Sequence, residues 1–222
     1  MQMKRKLRKI MSVLIVLTLL LSLGGVFATN FEDTPRMEFE DVSPDNWFYQ
    51  HVVNGLRFGI IKGVGDGRFE PNRSVTRAEF ITMLGRLHEY GNETIGTPGV
   101  GAFYERYLDW AVEKGIIHGN QYGDLMPHVF VTREQMAVIV VRYVEVLQLQ
   151  ESLRVERTNP YFLGVIEWED ASCWAQCAIG AFESFSLIFV NPEFSILDFR
   201  PRDYTLRAEA VRVIERIGRR IY

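Results

Sequence analysis

The apolar residues of this chain follow a helical spacing in three separate stretches. Each stretch has four apolar positions at the same intervals: Phe80, Ile81, Leu84 and Leu87; Met136, Ala137, Val140 and Tyr143; Ala210, Val211, Ile214 and Ile217. Residues three and four apart share one face of a helix, so each stretch predicts a helix with one buried face. Such a helix cannot bury that face alone, but three of them can around a common axis.

A longer repeat surrounds these stretches. The segment GIIKG at 59–63 recurs 56 residues later as GIIHG at 115–119, and Thr76-Arg77 recurs as Thr132-Arg133. Segments 199–201 and 207–209 mark a third copy, which has an insertion around Asn191-Pro192 and lacks the two glycines. Agreement at this many fixed spacings indicates three related units of about the size that repeat proteins use.

Each unit reads as a short helix, a loop and a longer helix. The short helices are predicted over 47–58, 103–114 and 174–185, and Gly59 and Gly115 are expected to end the first two in the left-handed conformation. Thr76 with Glu79, and Thr132 with Gln135, predict capping boxes that begin the longer helices. The third unit has Leu206 at the capping position, with Thr205 displaced by one residue. The expected fold is all-α, with pseudo-three-fold symmetry around a central three-helix bundle.

The first 28 residues have the composition of a secretory signal peptide. A basic head is followed by an apolar run from Ile10 to Leu23 and by small residues up to Ala28. The run is about 14 residues long, which is short of the roughly 20 needed to span a bilayer, although a retained anchor stays the alternative. Residues 29–38 are expected to form a linker, and no membrane span is expected after removal of the signal.

Composition narrows the classes of function. The chain is 47% hydrophobic, and removing the five basic residues of the leader changes the net charge from −3 to about −8. An acidic chain is a poor match for nucleic acid or an anionic membrane surface. Cys173 and Cys177 are expected to be small buried residues on one helical stripe, because two cysteines and four scattered histidines do not make a zinc site. No metal or cofactor is predicted.

One polar residue recurs at the start of all three longer helices: Arg77, Arg133 and Arg207. A cation there opposes the helix dipole, so its recurrence indicates another use. One interpretation is a carboxylate-binding corner formed by the guanidinium and the free amides of the helix start. The other is that each arginine pairs with an acidic residue of a neighbouring repeat and fastens the three units together.

Other candidate residues are less specific. Trp47 offers a flat face for a sugar ring but is equally typical of a core, and Asp41 could accept sugar hydroxyls or, by default, cap the first helix. The motifs of nucleophile elbows, zinc proteases and phosphate loops are missing from the sequence. A pair of carboxylates for glycoside hydrolysis is not excluded by motif, but none recurs across the repeats. The chain is therefore predicted not to be an enzyme.

In their order and spacing these motifs resemble the S-layer homology family in its three-repeat form. The segments that carry the resemblance are Phe39-Glu40-Asp41-Val42, GIIKG at 59–63, Phe69-Glu70-Pro71, Thr76-Arg77-Ala78-Glu79 and the second-repeat stretch from Leu108 to Gln135. The resemblance implies a three-pronged spindle, with repeats at 39–90 and 101–149 and a degenerate one at 160–222.

The resemblance also implies a function. The chain would be secreted and anchored non-covalently to the cell wall or S-layer. Its ligand would be an anionic, commonly pyruvylated, secondary cell-wall polysaccharide or another peptidoglycan-linked glycan. The implied binding residues are Arg77, Arg133, Arg207, Asp41, Trp47, Lys62, Gly63 and Gly119. The alternative is a surface scaffold for a protein partner, with grooves that no longer bind glycan.

Overall fold

A computed structural model describes residues 39–92, 94–99, 101–149, 170–185, 187 and 199–222. These ranges contain six helices: α1 (Tyr49–Arg57), α2 (Arg77–Gly91), α3 (Glu105–Glu113), α4 (Arg133–Val146), α5 (Cys173–Ser184) and α6 (Arg207–Ile221). No strand longer than an isolated bridge occurs in them, so the prediction of an all-α fold is confirmed. The predicted signal peptide, the 29–38 linker and the insertion at 191–192 lie outside the described residues.

The short helices α1 and α3 end in the same way. Gly59 and Gly115 have φ values of 65° and 71°, as the sequence predicts. The residue after each glycine donates its N–H back into the last turn, from Ile60 to the Gly55 carbonyl and from Ile116 to the Ala111 carbonyl. This is the Schellman arrangement, which a left-handed glycine permits without steric cost. The predicted starts at 47 and 103 are each two residues too early.

The long helices α2 and α4 begin with the predicted capping boxes. The Thr76 and Thr132 hydroxyls accept the N–H groups of Glu79 and Gln135, whose side chains accept the threonine N–H groups in return. At the start of α6, Glu209 accepts the Leu206 N–H at 3.0 Å, but leucine has no oxygen to complete the exchange. The third repeat therefore retains half of the box.

Leu206→Thr is expected to raise the free energy of unfolding by about 1 kcal/mol, because it supplies the missing N-cap acceptor. Chemical denaturation of the variant and the unaltered chain measures the difference. Thr132→Ala serves as the opposite control and should lose a similar amount. Equal stability of Leu206→Thr and the unaltered chain would mean that the third helix start does not need a cap.

Each short helix packs on the long helix of a different repeat. The dominant contacts are α1 with α6, α3 with α2 and α5 with α4, and α2 also touches α6. The packing partner is thus the preceding repeat in cyclic order, and the first repeat closes the cycle by packing on the last. A repeat defined by sequence is therefore not a packing unit by itself.

One carboxylate on each long helix clamps the short helix that packs on it. Glu215, which is fully buried, accepts hydrogen bonds from His51 Nδ1 (2.8 Å) and Asn54 Nδ2 (2.7 Å) of α1. Glu89 pairs in the same way with Arg106 on α3 at 2.6 Å, and Glu134 accepts the N–H of Ser172 next to α5 at 2.9 Å. These buried polar contacts fix which helices meet, since an unpaired carboxylate there would be costly.

The predicted core stripes form the centre of the molecule. All twelve apolar residues of the three stripes are buried, none more than 2% exposed. They join one continuous cluster with side chains of the short helices and loops, including Val52, Trp110 and Phe182. Three amphipathic helices that share one axis therefore account for the core, as the periodicity predicts.

A closed ring of backbone hydrogen bonds joins the three repeats at the entrance to the long helices. The Val75 N–H donates to the Thr205 carbonyl at 2.9 Å, Thr205 donates to Val131 at 2.8 Å, and Val131 donates to Val75 at 3.1 Å. Each repeat gives one bond and receives one. All three chain segments must be in place before the ring can close.

The two cysteines contradict the expectation that they are buried. Cys173 and Cys177 are both free thiols, and both are exposed on the outer face of α5. Trp174 beside them is 58% exposed. The buried stripe of α5 instead contains Ala175, Ile179 and Phe182. Helical spacing had placed the thiols on one face correctly but could not say which way that face turns.

Both thiols are expected to react with an aromatic disulfide reagent in the native protein, because neither needs unfolding to become accessible. Absorbance of the released thiolate measures the number of reacting groups per chain. Cys173→Ser and Cys177→Ser should each halve it. Reaction only in denaturant would contradict the exposure of α5.

None of the described helices combines the length and apolar composition required of a helix that crosses a membrane.

Candidate functional site

The recurring arginines stand at equivalent positions around the pseudo-three-fold axis. Arg77, Arg133 and Arg207 are the first residues of α2, α4 and α6, and the guanidinium of each points towards the next repeat in the cycle. This equivalence allows the three positions to be compared as three versions of one site.

The amides at the helix starts are not free, which corrects the interpretation that they bind an anion. The Arg77 N–H donates to the Val129 carbonyl and the next amide, of Ala78, donates to Pro127, both at 2.9 Å. The same two bonds are repeated at the starts of α4 and α6. Carbonyls of the neighbouring repeat therefore satisfy the amides that a helix start usually offers to an anion.

Arg133 is tied into the protein by three contacts. Its Nε donates to the Phe199 carbonyl at 2.6 Å, its guanidinium forms an ion pair with Glu209, and it lies 5.3 Å from the centre of the Phe199 ring. Only 8% of the residue is exposed. For this residue the structure matches the alternative in which the arginine fastens two repeats together.

Arg207 repeats this arrangement against the first repeat. Its Nε donates to the Phe69 carbonyl at 2.9 Å, and its NH1 lies 3.6 Å from Glu79 Oε1. It is 4% exposed and lies 4.9 Å from the centre of the Phe69 ring. Burial alone would raise the pKa of Glu79, but hydrogen bonds from Arg73 and the Thr76 amide hold that pKa below its usual value. Glu79 therefore stays ionised as the partner of Arg207.

Arg77 lacks the equivalents of these contacts. Its NH2 donates to the His118 carbonyl at 3.0 Å, as that of Arg207 does to Lys62. Its Nε is buried and has no hydrogen-bond partner among the described residues. None of the described acidic residues forms an ion pair with the Arg77 guanidinium. No aromatic ring among the described residues lies against it either.

Two residues of the second repeat explain why Arg77 differs. Leu125 stands where the other repeats have Phe69 and Phe199, so no ring is offered to the guanidinium. Gln135 stands where the other two have Glu79 and Glu209, so the position that supplies the ion pair is neutral.

The charges around Arg77 reinforce this difference. Burial, together with the nearby charge of Arg142, lowers the pKa of Arg77. Where the first repeat has Glu70, the second has Met126, so a further acid is missing. The guanidinium groups of Arg77 and Arg142 are therefore neighbours. The positions that hold Glu70 and Glu79 in the first repeat hold Met126 and Gln135 in the second, so neither supplies a carboxylate. A partly buried cation in this setting favours an added anion, because its electrostatic interactions are screened less than at an exposed site.

A groove of about 330 Å³ brings together three of the other predicted residues, Lys62, Gly63 and Arg207. Arg86 and Phe103 also line it, and Phe103 is 61% exposed. Gly63 is required there because a Cβ atom would lie 2.7 Å from the Phe39 ring. The groove combines cations with an accessible aromatic face, and its one acidic lining residue, Glu79, is bonded to Arg73 at 2.6 Å and lies 3.6 Å from Arg207.

Asp41 and Trp47 have structural surroundings. The Asp41 carboxylate accepts the N–H groups of Phe69 and Glu70 at 2.8 and 2.7 Å, so it braces the loop before α2. The default expectation that Asp41 caps the first helix is wrong, since the cap position is Phe48 and no side chain caps it. Trp47 is half-buried, with its ring edge-on to that of Phe48.

Gly119 follows the carbonyl that Arg77 contacts. A Cβ atom on Gly119 would lie 2.5 Å from the backbone of Gly123, so the turn requires glycine. The residue shapes the loop beside Arg77 and has no side chain to offer a ligand.

The model of one protein family matches the chain twice. The S-layer homology domain matches at residues 38–81 and 97–137, which cover the first and second repeats up to the starts of α2 and α4. Residues 38–81 and 97–137 of this chain are S-layer homology repeats. The third predicted repeat lies outside both matches, although Arg207 at the start of α6 makes contacts equivalent to those of Arg133.

Several known proteins are similar to this chain. An endoglucanase of Bacillus sp. (strain KSM-635) is 26% identical over 215 residues, which cover 95% of this chain and 22% of that enzyme. A surface-layer 125 kDa protein of Lysinibacillus sphaericus is 29% identical over 53% of this chain and 11% of its own length. A cellulosome-anchoring protein of Acetivibrio thermocellus is 27% identical over 48% and 26%, respectively.

The S-layer homology chain spans about a quarter or less of these relatives, so their whole activities are not carried over to it. The family and the surface-layer relative place the chain outside the cell, at its surface.

Sequence reasoning missed the residues that make the three recurring arginines unequal. Gln135 and Glu79 are noticed in the sequence only as members of capping boxes, although the 56-residue offset already aligns them. Arg142 is assigned no role from the sequence. Their second role depends on a neighbour from another repeat, which the repeat alignment alone does not reveal.

Arg133→Ala is expected to destabilise the protein by about 3–5 kcal/mol, because it leaves Glu209 buried without its cation. Arg77→Ala, the same change at the equivalent position, should alter the free energy of unfolding by about 1 kcal/mol or less, since no acid loses a partner. Thermal and denaturant unfolding of both variants compare the two. Equal losses would show that Arg77 is held as firmly as Arg133.

Proposed function

We propose that this chain anchors itself non-covalently to the cell surface by binding an anionic polysaccharide of the cell wall. Its S-layer homology repeats and its likeness to proteins named for the surface layer and for cellulosome anchoring support this function. The proposed role needs no catalysis. The expected glycan carries carboxylate groups, as a pyruvylated sugar does.

The unpaired state of Arg77 is the observation that carries the proposal. Arg133 and Arg207 already have internal carboxylate partners, whereas Arg77 is partly buried beside Arg142 and has none among the described residues. A carboxylate on the glycan would supply the charge that a glutamate supplies at the other two positions. Guanidinium and carboxylate match in geometry, since two parallel N–H groups can bind both oxygens.

The Lys62 groove supports the proposal in a different way. Lys62 and Arg86 add positive charge there, and the exposed ring of Phe103 provides a face on which a sugar can pack. We assign this groove a secondary role, because Glu79 competes with any ligand anion for Arg207. Arg77 is therefore the residue on which binding should depend most.

Arg77→Ala is expected to abolish most sedimentation of the protein with purified cell walls of the source strain. The full chain without its leader is mixed with walls before and after chemical extraction of the wall polysaccharide, and the bound fraction is measured. The unaltered protein should sediment with intact walls and not with extracted walls. High salt should weaken the interaction, as expected for a contact between charges.

Arg57→Ala is the matched control, because it removes the same charge from an exposed position at the end of α1. It should sediment like the unaltered chain. Sedimentation with extracted walls would instead indicate peptidoglycan as the ligand. Lack of sedimentation with either preparation would favour the alternative, a scaffold for a surface protein.

A further inference from the structure

We propose that the third residue of each long helix decides whether the arginine that faces it from the neighbouring repeat can bind an external anion, and that Gln135 leaves Arg77 as the open one. At the other two positions Glu209 forms an ion pair with Arg133, and Glu79, whose nearest cation is Arg73 at 2.6 Å, lies 3.6 Å from Arg207. This inference rests on the function proposed above and adds which residue selects the binding groove.

The cyclic order of contacts supports the assignment. Arg133 of the second repeat pairs with Glu209 of the third, and Arg207 of the third pairs with Glu79 of the first. The remaining pair would join Arg77 of the first repeat to position 135 of the second. Glutamine at that position has no charge with which to form the ion pair.

Gln135 keeps its local structural role without the charge. Its Oε1 accepts the Thr132 N–H at 3.1 Å, as Glu79 accepts the Thr76 N–H at 2.9 Å and Glu209 accepts the Leu206 N–H at 3.0 Å. Glutamate and glutamine can therefore both accept the N–H of the N-cap residue. The capping role does not require a neutral side chain, so the charge at this position is free to serve another purpose.

The physical consequence is a competition between an internal and an external carboxylate. At Arg133 an arriving anion would have to displace Glu209, which would then lie buried and unpaired at a large energetic cost. At Arg77 none of the described carboxylates has to be displaced, and the partly buried guanidinium gains a charged partner. Among the three recurring arginines, the described contacts thus favour Arg77 over Arg133 and Arg207 as the anion site.

Gln135→Glu tests the inference directly. The new carboxylate should pair with Arg77, raise the melting temperature and weaken wall binding by about tenfold or more, the range expected for the loss of a charge-assisted contact. Sedimentation with purified cell walls at increasing protein concentration measures binding, and thermal unfolding measures stability. Gln148→Glu is the matched control, since it adds the same charge at an exposed position beyond the other end of α4.

A double variant separates pairing from other effects of the new charge. In Arg77→Ala/Gln135→Glu, the increase in melting temperature should disappear, because the introduced carboxylate no longer has a cation to meet. If the increase persists, that carboxylate does not act through Arg77, and the proposed selection is overturned. A Gln135→Glu protein that still binds walls like the unaltered chain would overturn it as well.

The inference and the proposed function fail in different ways. If Arg77→Ala loses wall binding while Gln135→Glu retains it, the anchoring function stands and the role of position 135 is rejected. If neither variant changes the binding, Arg77 is not the anion site, so its role in anchoring and the role of position 135 are both rejected. If both variants lose binding and the Gln148→Glu control does not, both stand.

Discussion

The ring of three backbone hydrogen bonds at Val75, Thr205 and Val131 is the constraint on which the rest of the structure depends. It joins segments that are far apart in sequence and sets the three long helices at equivalent positions around one axis. The two amides that begin each helix are then satisfied by carbonyls of the next repeat. Each helix start therefore requires a neighbour, and that neighbour requires the next. This mutual dependence explains why a degenerate third repeat must still fold.

The cyclic order of the repeats also determines the long helix on which each short helix packs. The first and last parts of the described chain meet where α1 packs on α6, with Glu215 clamped by His51 and Asn54. A buried carboxylate is a weak source of net stability, but it requires polar partners, because loss of those partners leaves a buried charge unpaired. Glu215 therefore acts mainly to specify that α1 packs on α6 and not on another long helix.

Properties that depend on nearby residues were predictable from the sequence, and those that depend on distant partners were not. The core stripes, the two capping boxes and the left-handed glycines all involve residues within one or two helical turns, and all are confirmed. The partners of Arg133 and Arg207 come from another repeat, so residue types alone left two interpretations open. The exposure of Cys173 and Cys177 depends on which side of α5 meets α4, and spacing carries no information about that choice.

The three repeats allow a functional residue to be compared with equivalent residues that have a structural role. The comparison shows which stabilising contacts the functional residue lacks. Arg133 and Arg207 combine an ion pair, a carbonyl contact and an aromatic face, whereas the partly buried guanidinium of Arg77 donates, among the described residues, only to the His118 carbonyl. A chain under selection for stability alone would have little reason to keep an arginine beside Arg142 once its glutamate was absent. The arginine at position 77 is best explained by a requirement that comes from outside the fold, such as a ligand that brings its own negative charge.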